Sequence, residues 1–99
     1  MNNRIKEEVM TELTRLTPTE HTVLEVLAAE TRRVKRRAVR FAARDWAARA
    51  GVTVAELDAV TEKLREAGLI ELRAESKPPI PRRWKLDWSV LEALEQSSS

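Results

Sequence analysis

The spacing of the apolar residues changes at Gly68. Before Gly68 apolar residues recur at three- and four-residue intervals, beginning in residues 3–15, which is the pattern of amphipathic helices. After it, Ile70, Leu72 and Ala74 alternate with charged residues, which is the pattern of a half-buried strand. The sequence therefore predicts a mainly α fold with a small β-hairpin (α+β), built as a single domain over residues 1–99.

The helix boundaries are marked by capping residues. Thr17-Pro18-Thr19-Glu20, Thr53-Val54-Ala55-Glu56 and Ser89-Val90-Leu91-Glu92 each place a hydroxyl three residues before a glutamate, as in a capping box. Gly51 and Gly68 each end a helical pattern. These signals predict helices over residues 3–15, 17–31, 42–50, 54–67 and 89–96.

The remaining segments are predicted as a loop with a short strand, over residues 32–41, and as a hairpin within residues 69–88. Trp84, Leu86 and Trp88 fall on one face of its second strand, and the turn carries Pro78, Pro79 and Pro81. We therefore expect all three tryptophans, which are Trp46, Trp84 and Trp88, to lie in the core.

Charge is segregated along the chain although the net charge is only +2. Residues 32–44 contain seven basic residues and no acid, whereas residues 1–31 contain three bases and six acids. A second basic group near the C-terminus has only Asp87 beside it. Such blocks are typical of a surface that faces phosphates, and also of a solvated face without a partner. The basic residues of the two blocks are Arg32, Arg33, Lys35, Arg36, Arg37, Arg40 and Arg44, then Lys77, Arg82, Arg83 and Lys85.

Several function classes are disfavoured by what the sequence lacks. It has no cysteine, which excludes a disulfide framework and thiolate chemistry and fits a reducing cytosol. His21 is its single histidine, and the carboxylate pairs lie on solvent faces without a partner nucleophile. No apolar stretch is long enough to span a bilayer. We therefore expect no enzyme activity, no metal, no cofactor, no small-molecule substrate and no membrane contact.

Residues 42–88 resemble the winged helix-turn-helix family. Ala47, four residues before Gly51, matches the small side chain that the family places where two helices cross, and residues 64–70 match its exit into the first wing strand. The matching buried positions are Trp46, Ala50, Val52, Leu57 and Val60. With the helix at 17–31, the resemblance covers most of the chain. It is similar to winged-helix domains of plasmid and phage replication initiators and of bacterial-type transcription regulators.

The resemblance implies that the protein binds double-stranded DNA through the helix at 54–67, because an α-helix fits the major groove. The implied outward residues of that helix are Val54, Ala55, Asp58, Ala59, Glu62 and Lys63, with Thr53 at the cap. Binding would be led by backbone contacts from the basic link at 32–44 and from the wing. The expected DNA contacts are Arg32, Arg33, Lys35, Arg36, Arg37, Arg40, Arg44, Thr53, Val54, Ala55, Asp58, Lys63, Lys77, Arg82, Arg83 and Lys85.

Two questions stay open at the level of sequence. The carboxylates of Asp58 and Glu62 stand where a DNA reader usually carries hydrogen-bond donors, so the alternative is a protein-protein interaction module that docks this acidic helix on a basic partner. The apolar stripes of the two terminal helices either pack within the domain or pair two copies as a homodimer. The expected location is the cytoplasm, in association with the nucleoid.

Overall fold

The computed structural model describes residues 6–97, which form five helices and three strands in the predicted order. The first residues of the predicted N-terminal helix, including Ile5, lie outside the described residues. The elements are α1 (Lys6–Thr14), α2 (Pro18–Val34), β1 (Ala38–Arg40), α3 (Ala43–Ala50), α4 (Val54–Glu66), β2 (Ile70–Ala74), β3 (Arg83–Leu86) and α5 (Trp88–Ser97). No helix of this described part is long and apolar enough to cross a membrane.

The two threonine capping boxes are confirmed. The Thr17 hydroxyl accepts a hydrogen bond from the Glu20 N–H at 3.1 Å, and the Glu20 carboxylate accepts one from the Thr17 N–H at 3.0 Å. Thr53 and Glu56 repeat the arrangement at 3.1 and 2.9 Å. Gly51 has the left-handed conformation (φ 73°) that ends α3, as predicted. Local sequence is therefore enough to begin α2 and α4 where the fold needs them.

The end of α2 differs from the prediction. The helix continues past Thr31 to Val34, and Lys35 closes it in a left-handed conformation (φ 55°) while its N–H bonds to the Thr31 carbonyl. No glycine or proline interrupts residues 31–35, and arginines are favourable beside the negative end of the helix dipole. The first part of the predicted basic link is therefore the last turn of a helix, not a loop.

The start of α5 also differs from the prediction. Ser89 is not an N-cap: its hydroxyl donates to the Asp87 carboxylate at 2.8 Å, while the Asp87 carbonyl accepts from the N–H groups of Val90 and Leu91 at 3.0 and 3.1 Å. The helix thus begins at Trp88, directly after β3 ends at Leu86. Trp88 does not continue the alternation of the strand and is 69% exposed, so its predicted place in the core was wrong.

The sheet has the order β1-β3-β2 and is antiparallel throughout. Val39 and Leu72 both lie opposite Trp84, which directs one face of the sheet into the core. There the buried Trp46 ring stacks on Phe41 at 5.2 Å and meets Trp84 edge-on at 5.6 Å. The core positions predicted for Trp46 and Trp84 are confirmed.

The terminal helices pack within the domain. Val9 and Leu13 of α1 and Val90, Leu91 and Leu94 of α5 are buried together with the α2 residues of one continuous core. The described parts of both apolar stripes are therefore covered by the protein's own side chains.

Candidate nucleic-acid interface

One face of helix α4 packs in the core, and the opposite face is exposed to solvent. Leu57, Val60 and Leu64 are buried, at the spacing expected of an inward stripe. The residues expected to point outward are all exposed: Thr53, Val54, Ala55, Asp58, Ala59, Glu62 and Lys63. A tight turn at Gly51 and Val52, whose N–H bonds to the Ala47 carbonyl at 3.0 Å, places this helix across α3.

The charges on α4 are not equally available. Lys63 lies 3.6 Å from the Glu20 carboxylate of α2, and Glu62 lies 3.4 Å from Arg65. Asp58 has no ion-pair partner among residues 7–96. The Thr53 hydroxyl is occupied as a cap by the Glu56 N–H, and the Thr53 N–H, which donates to the Glu56 carboxylate at 2.9 Å, lowers the pKa of that carboxyl. The outward face near the helix start therefore presents two apolar residues, Val54 and Ala55, beside one free carboxylate.

A groove of about 410 Å³ separates α4 from the β2–β3 hairpin. Its walls include Val54, Asp58 and Thr61 from α4, Arg44 from the first turn of α3, and Arg82 from the hairpin. The structure therefore brings one residue of each predicted basic block to the exposed face of the predicted reading helix. Two cations in one groove beside a helix can contact phosphates and position that helix on a duplex.

The hairpin tip beside this groove is closed by its own backbone. Lys77 and Ile80 exchange two backbone hydrogen bonds of 2.8 and 2.6 Å. Arg82 pairs with Glu75 at 3.0 Å, and the Arg40 guanidinium donates to the Pro81 carbonyl at 2.9 Å. The tip is thereby tied to β1, and it presents the Lys77 ammonium and an Ile80 side chain that is 44% exposed.

The strand register separates the basic link into two parts. Arg40 lies opposite Arg83 at the hairpin end of the sheet, whereas Ala38 lies opposite Lys85, toward the start of α5. Arg36 and Arg37 precede Ala38, so they lie toward the end of the sheet remote from the hairpin tip. Neither belongs to the strand, which begins at Ala38. The register therefore places Arg40 beside the base of the wing and leaves Arg36 and Arg37 on the other side of β1.

Two residues of the predicted link are engaged in ion pairs. Arg32 pairs with Glu95 of α5 at 3.2 Å, and Arg33 pairs with Glu30 at 2.7 Å. Glu30 is buried on α2 and also accepts a hydrogen bond from Arg49 of α3 at 2.9 Å. The hydrogen bonds from Arg33 and then Arg49 lower the pKa of Glu30 to about 2. Sequence reasoning missed this ion pair, although Glu30 continues the inward spacing of Val23 and Leu27.

Other basic side chains have no acidic partner within the described residues. They lie along β1 and its flanks, on β3, and at the hairpin tip. They are Lys35, Arg36, Arg37, Arg40, Arg44, Lys77, Arg83 and Lys85, and Arg15, in the α1–α2 turn, lies apart from these. An anionic partner could bind these side chains without first breaking an ion pair. The other seven cations of residues 7–96 are ion-paired: Arg32, Arg33, Arg49, Lys63, Arg65, Arg73 and Arg82.

Comparison with known proteins identifies the architecture. No protein-family model and no curated protein sequence matches the chain. Among solved structures, it is similar to a MarR family regulator from Neisseria meningitidis with a TM-score of 0.62 and 17% sequence identity. The similarity covers 90% of this chain but 59% of that one, so this chain spans little more than half of its length. The overall similarity to that regulator, together with the two crossed helices α3 and α4 and the three-stranded sheet that ends in a hairpin, shows that the chain has the winged helix-turn-helix fold.

Proposed function

We propose that this protein binds double-stranded DNA, with α4 in the major groove and the β2–β3 hairpin, the wing, against the adjoining backbone. The observation that supports this most is the groove between α4 and the wing, because it brings cations from two distant parts of the sequence, Arg44 and Arg82, beside one helix. An α-helix fits the major groove, and flanking cations position it by phosphate contacts.

The biological role we propose is transcription regulation. The solved structure to which this chain is similar is described as a regulator, and nothing comparable supports the replication role that the sequence also suggested. On this proposal the protein acts in the cytoplasm, at the nucleoid. A homodimer formed through the terminal helices is a further proposal. Because the apolar residues of α1 and α5 are buried within one chain, the contact would have to use other residues of these helices.

The proposed contacts can be ordered by their availability. Arg44 and Lys77, which are exposed and unpaired within the described chain, would bind phosphates first. Arg82 would have to leave Glu75, and Lys63 would have to leave Glu20. Val54 and Ala55 would supply apolar contact to base edges, such as a thymine methyl group. Because α4 offers few donors, we expect modest sequence discrimination and binding led by electrostatics.

A salt titration tests the proposal directly. Fluorescence anisotropy with a labelled duplex should show affinity falling with salt, with a logarithmic slope of roughly −4 to −6. Arg44→Gln should weaken binding, whereas Arg15→Gln, which removes the same charge from the α1–α2 turn, should not. The absence of duplex binding at low salt, with circular dichroism showing a folded protein, would refute the function.

A second candidate function is supported by Asp58, which is exposed and unpaired in the described chain, on the helix that would enter the groove. A carboxylate there repels phosphates and would instead suit a basic protein surface. Neutralising Asp58 separates the two functions, because tighter duplex binding is expected only if α4 enters the DNA.

A further inference from the structure

The outward face of the sheet carries a row of basic side chains that the groove does not use. In an antiparallel sheet, residues directly opposite each other point to the same face. Val39 and Trp84 are opposite and buried, so their neighbours Arg40 and Arg83 share the other face, and the partner pair Ala38 and Lys85 lies on it too. This outward face is turned away from the helices that form the core.

Arg40 and Arg83 form a cross-strand pair of like charges. Their Cα atoms are direct partners in the register, which places them about 4.5–5.5 Å apart. Like charges directly opposite each other destabilise a sheet. Arg40 also donates to the Pro81 carbonyl, and Arg83 has no acidic partner within residues 7–96. An anion from another molecule would bind between these two guanidinium groups and offset their mutual repulsion.

The acidic residue on the same face does not cancel this charge. Glu71 lies opposite Lys85, but its carboxylate is already 3.0 Å from the Arg73 guanidinium. Within strands β1 to β3 the face therefore carries four cations, Arg40, Arg73, Arg83 and Lys85, against one carboxylate. Cα atoms two residues apart on β3 are separated by about 7 Å, so Arg83 and Lys85 can reach different phosphates.

We propose that this outward face, defined by Arg40, Arg83 and Lys85, is a second phosphate-binding surface that holds the DNA flanking the site read by α4. The proposal rests on the proposed function, because the same duplex must first occupy the groove. Arg40 and Arg83 lie at the base of the wing, where a duplex leaving the groove passes. The flank would bend toward the sheet, held by its backbone and independently of its sequence.

Duplex length is the variable that tests this surface. Affinity and salt slope are measured on a duplex of about one helical turn and on one of about three turns with the same central sequence. The wild-type protein should bind the longer duplex about three- to tenfold more tightly than the shorter one, with a salt slope steeper by about 2, as two added phosphate contacts predict. Arg83→Gln with Lys85→Gln should remove both differences, so that the double variant binds the two duplexes with the same affinity and the same salt slope. Arg15→Gln is the control, and it should retain both differences.

The outcomes separate the two proposals. If the short duplex binds and the longer one adds no salt-dependent contact, the second surface is refuted while the function in the groove stands. If neither duplex binds, both are refuted. If the gain appears only with an RNA duplex of equal length, DNA is the wrong partner for this face. Loss of the length effect in the double variant, with an unaltered melting temperature, supports the proposal, and retention of the length effect refutes the second surface.

Discussion

Glu30 of α2 accepts a hydrogen bond from Arg49 of α3 at 2.9 Å, and this bond joins the helix-turn-helix to the rest of the domain. Arg33 binds the second carboxylate oxygen at 2.7 Å. The carboxylate is buried, whereas both guanidinium groups reach solvent, so the charged form of Glu30 is held by hydrogen bonds at a modest cost of desolvation. Arg49 also lies 5.2 Å from the Phe41 ring, which fixes its position.

Acid should weaken the fold through Glu30. Its pKa is lowered to about 2 in the folded protein from 4.5, so its contribution is complete above about pH 4.5 and is lost as the pH falls toward 2. Glu30→Gln should reduce the free energy of unfolding at pH 7 by about 1–3 kcal/mol. The difference in melting temperature between variant and wild type should shrink between pH 4.5 and 2. An equal difference at all pH values would contradict this account.

Trp46 should be the tryptophan on which stability depends. Trp46→Ala removes a ring that stacks on Phe41, meets Trp84 and donates to the Val23 carbonyl at 3.0 Å. We expect a loss of about 3–5 kcal/mol, measured by urea unfolding. The control is Trp88→Ala, because that side chain is 69% exposed and its loss should change stability by about 0.5 kcal/mol or less. Equal effects of the two changes would show that the core is assigned wrongly.

Neutralising the acidic residues of α4 tests whether this helix enters the DNA. Asp58→Asn should tighten nonspecific duplex binding several-fold, because it removes a free carboxylate from the groove. Glu62→Gln should have the smaller effect, since Glu62 is already paired with Arg65. Glu92→Gln, on the exposed side of α5, controls for net charge. If all three variants bind DNA like the wild type, the helix does not enter the groove, and loss of a basic protein partner by Asp58→Asn would support the alternative function.

The basic residues near the groove should matter more for a short duplex than those at the far end of the sheet. Arg44→Gln should weaken binding of a one-turn duplex about three- to tenfold through a lost phosphate contact, and Arg37→Gln should change it much less. Both residues are exposed, so circular dichroism should be unaltered. Anisotropy titrations at one salt concentration decide the matter. Equal losses would show that the two parts of the basic link act as one surface.

Much of this fold is determined by local sequence. Thr17 and Thr53 begin their helices because each hydroxyl and the glutamate three residues later satisfy N–H groups that lie next to them in the chain. Gly51 ends α3 because a left-handed residue is needed there. The alternation after Gly68 likewise indicates β2, since a strand buries every second residue.

Tertiary structure decided what depends on contacts between distant residues. Trp88 is in phase with Trp84 along the sequence, yet it lies outside the core because the chain leaves the sheet after Leu86. Glu30 is paired by Arg49, 19 residues away, which no local pattern indicates. The basic link looks continuous in sequence, but pairing of β1 with β3 places Arg40 beside the wing and Arg37 away from it. Local patterns determine where elements begin and end because their hydrogen bonds are local; which charges share a surface is determined only when strands pair and helices pack.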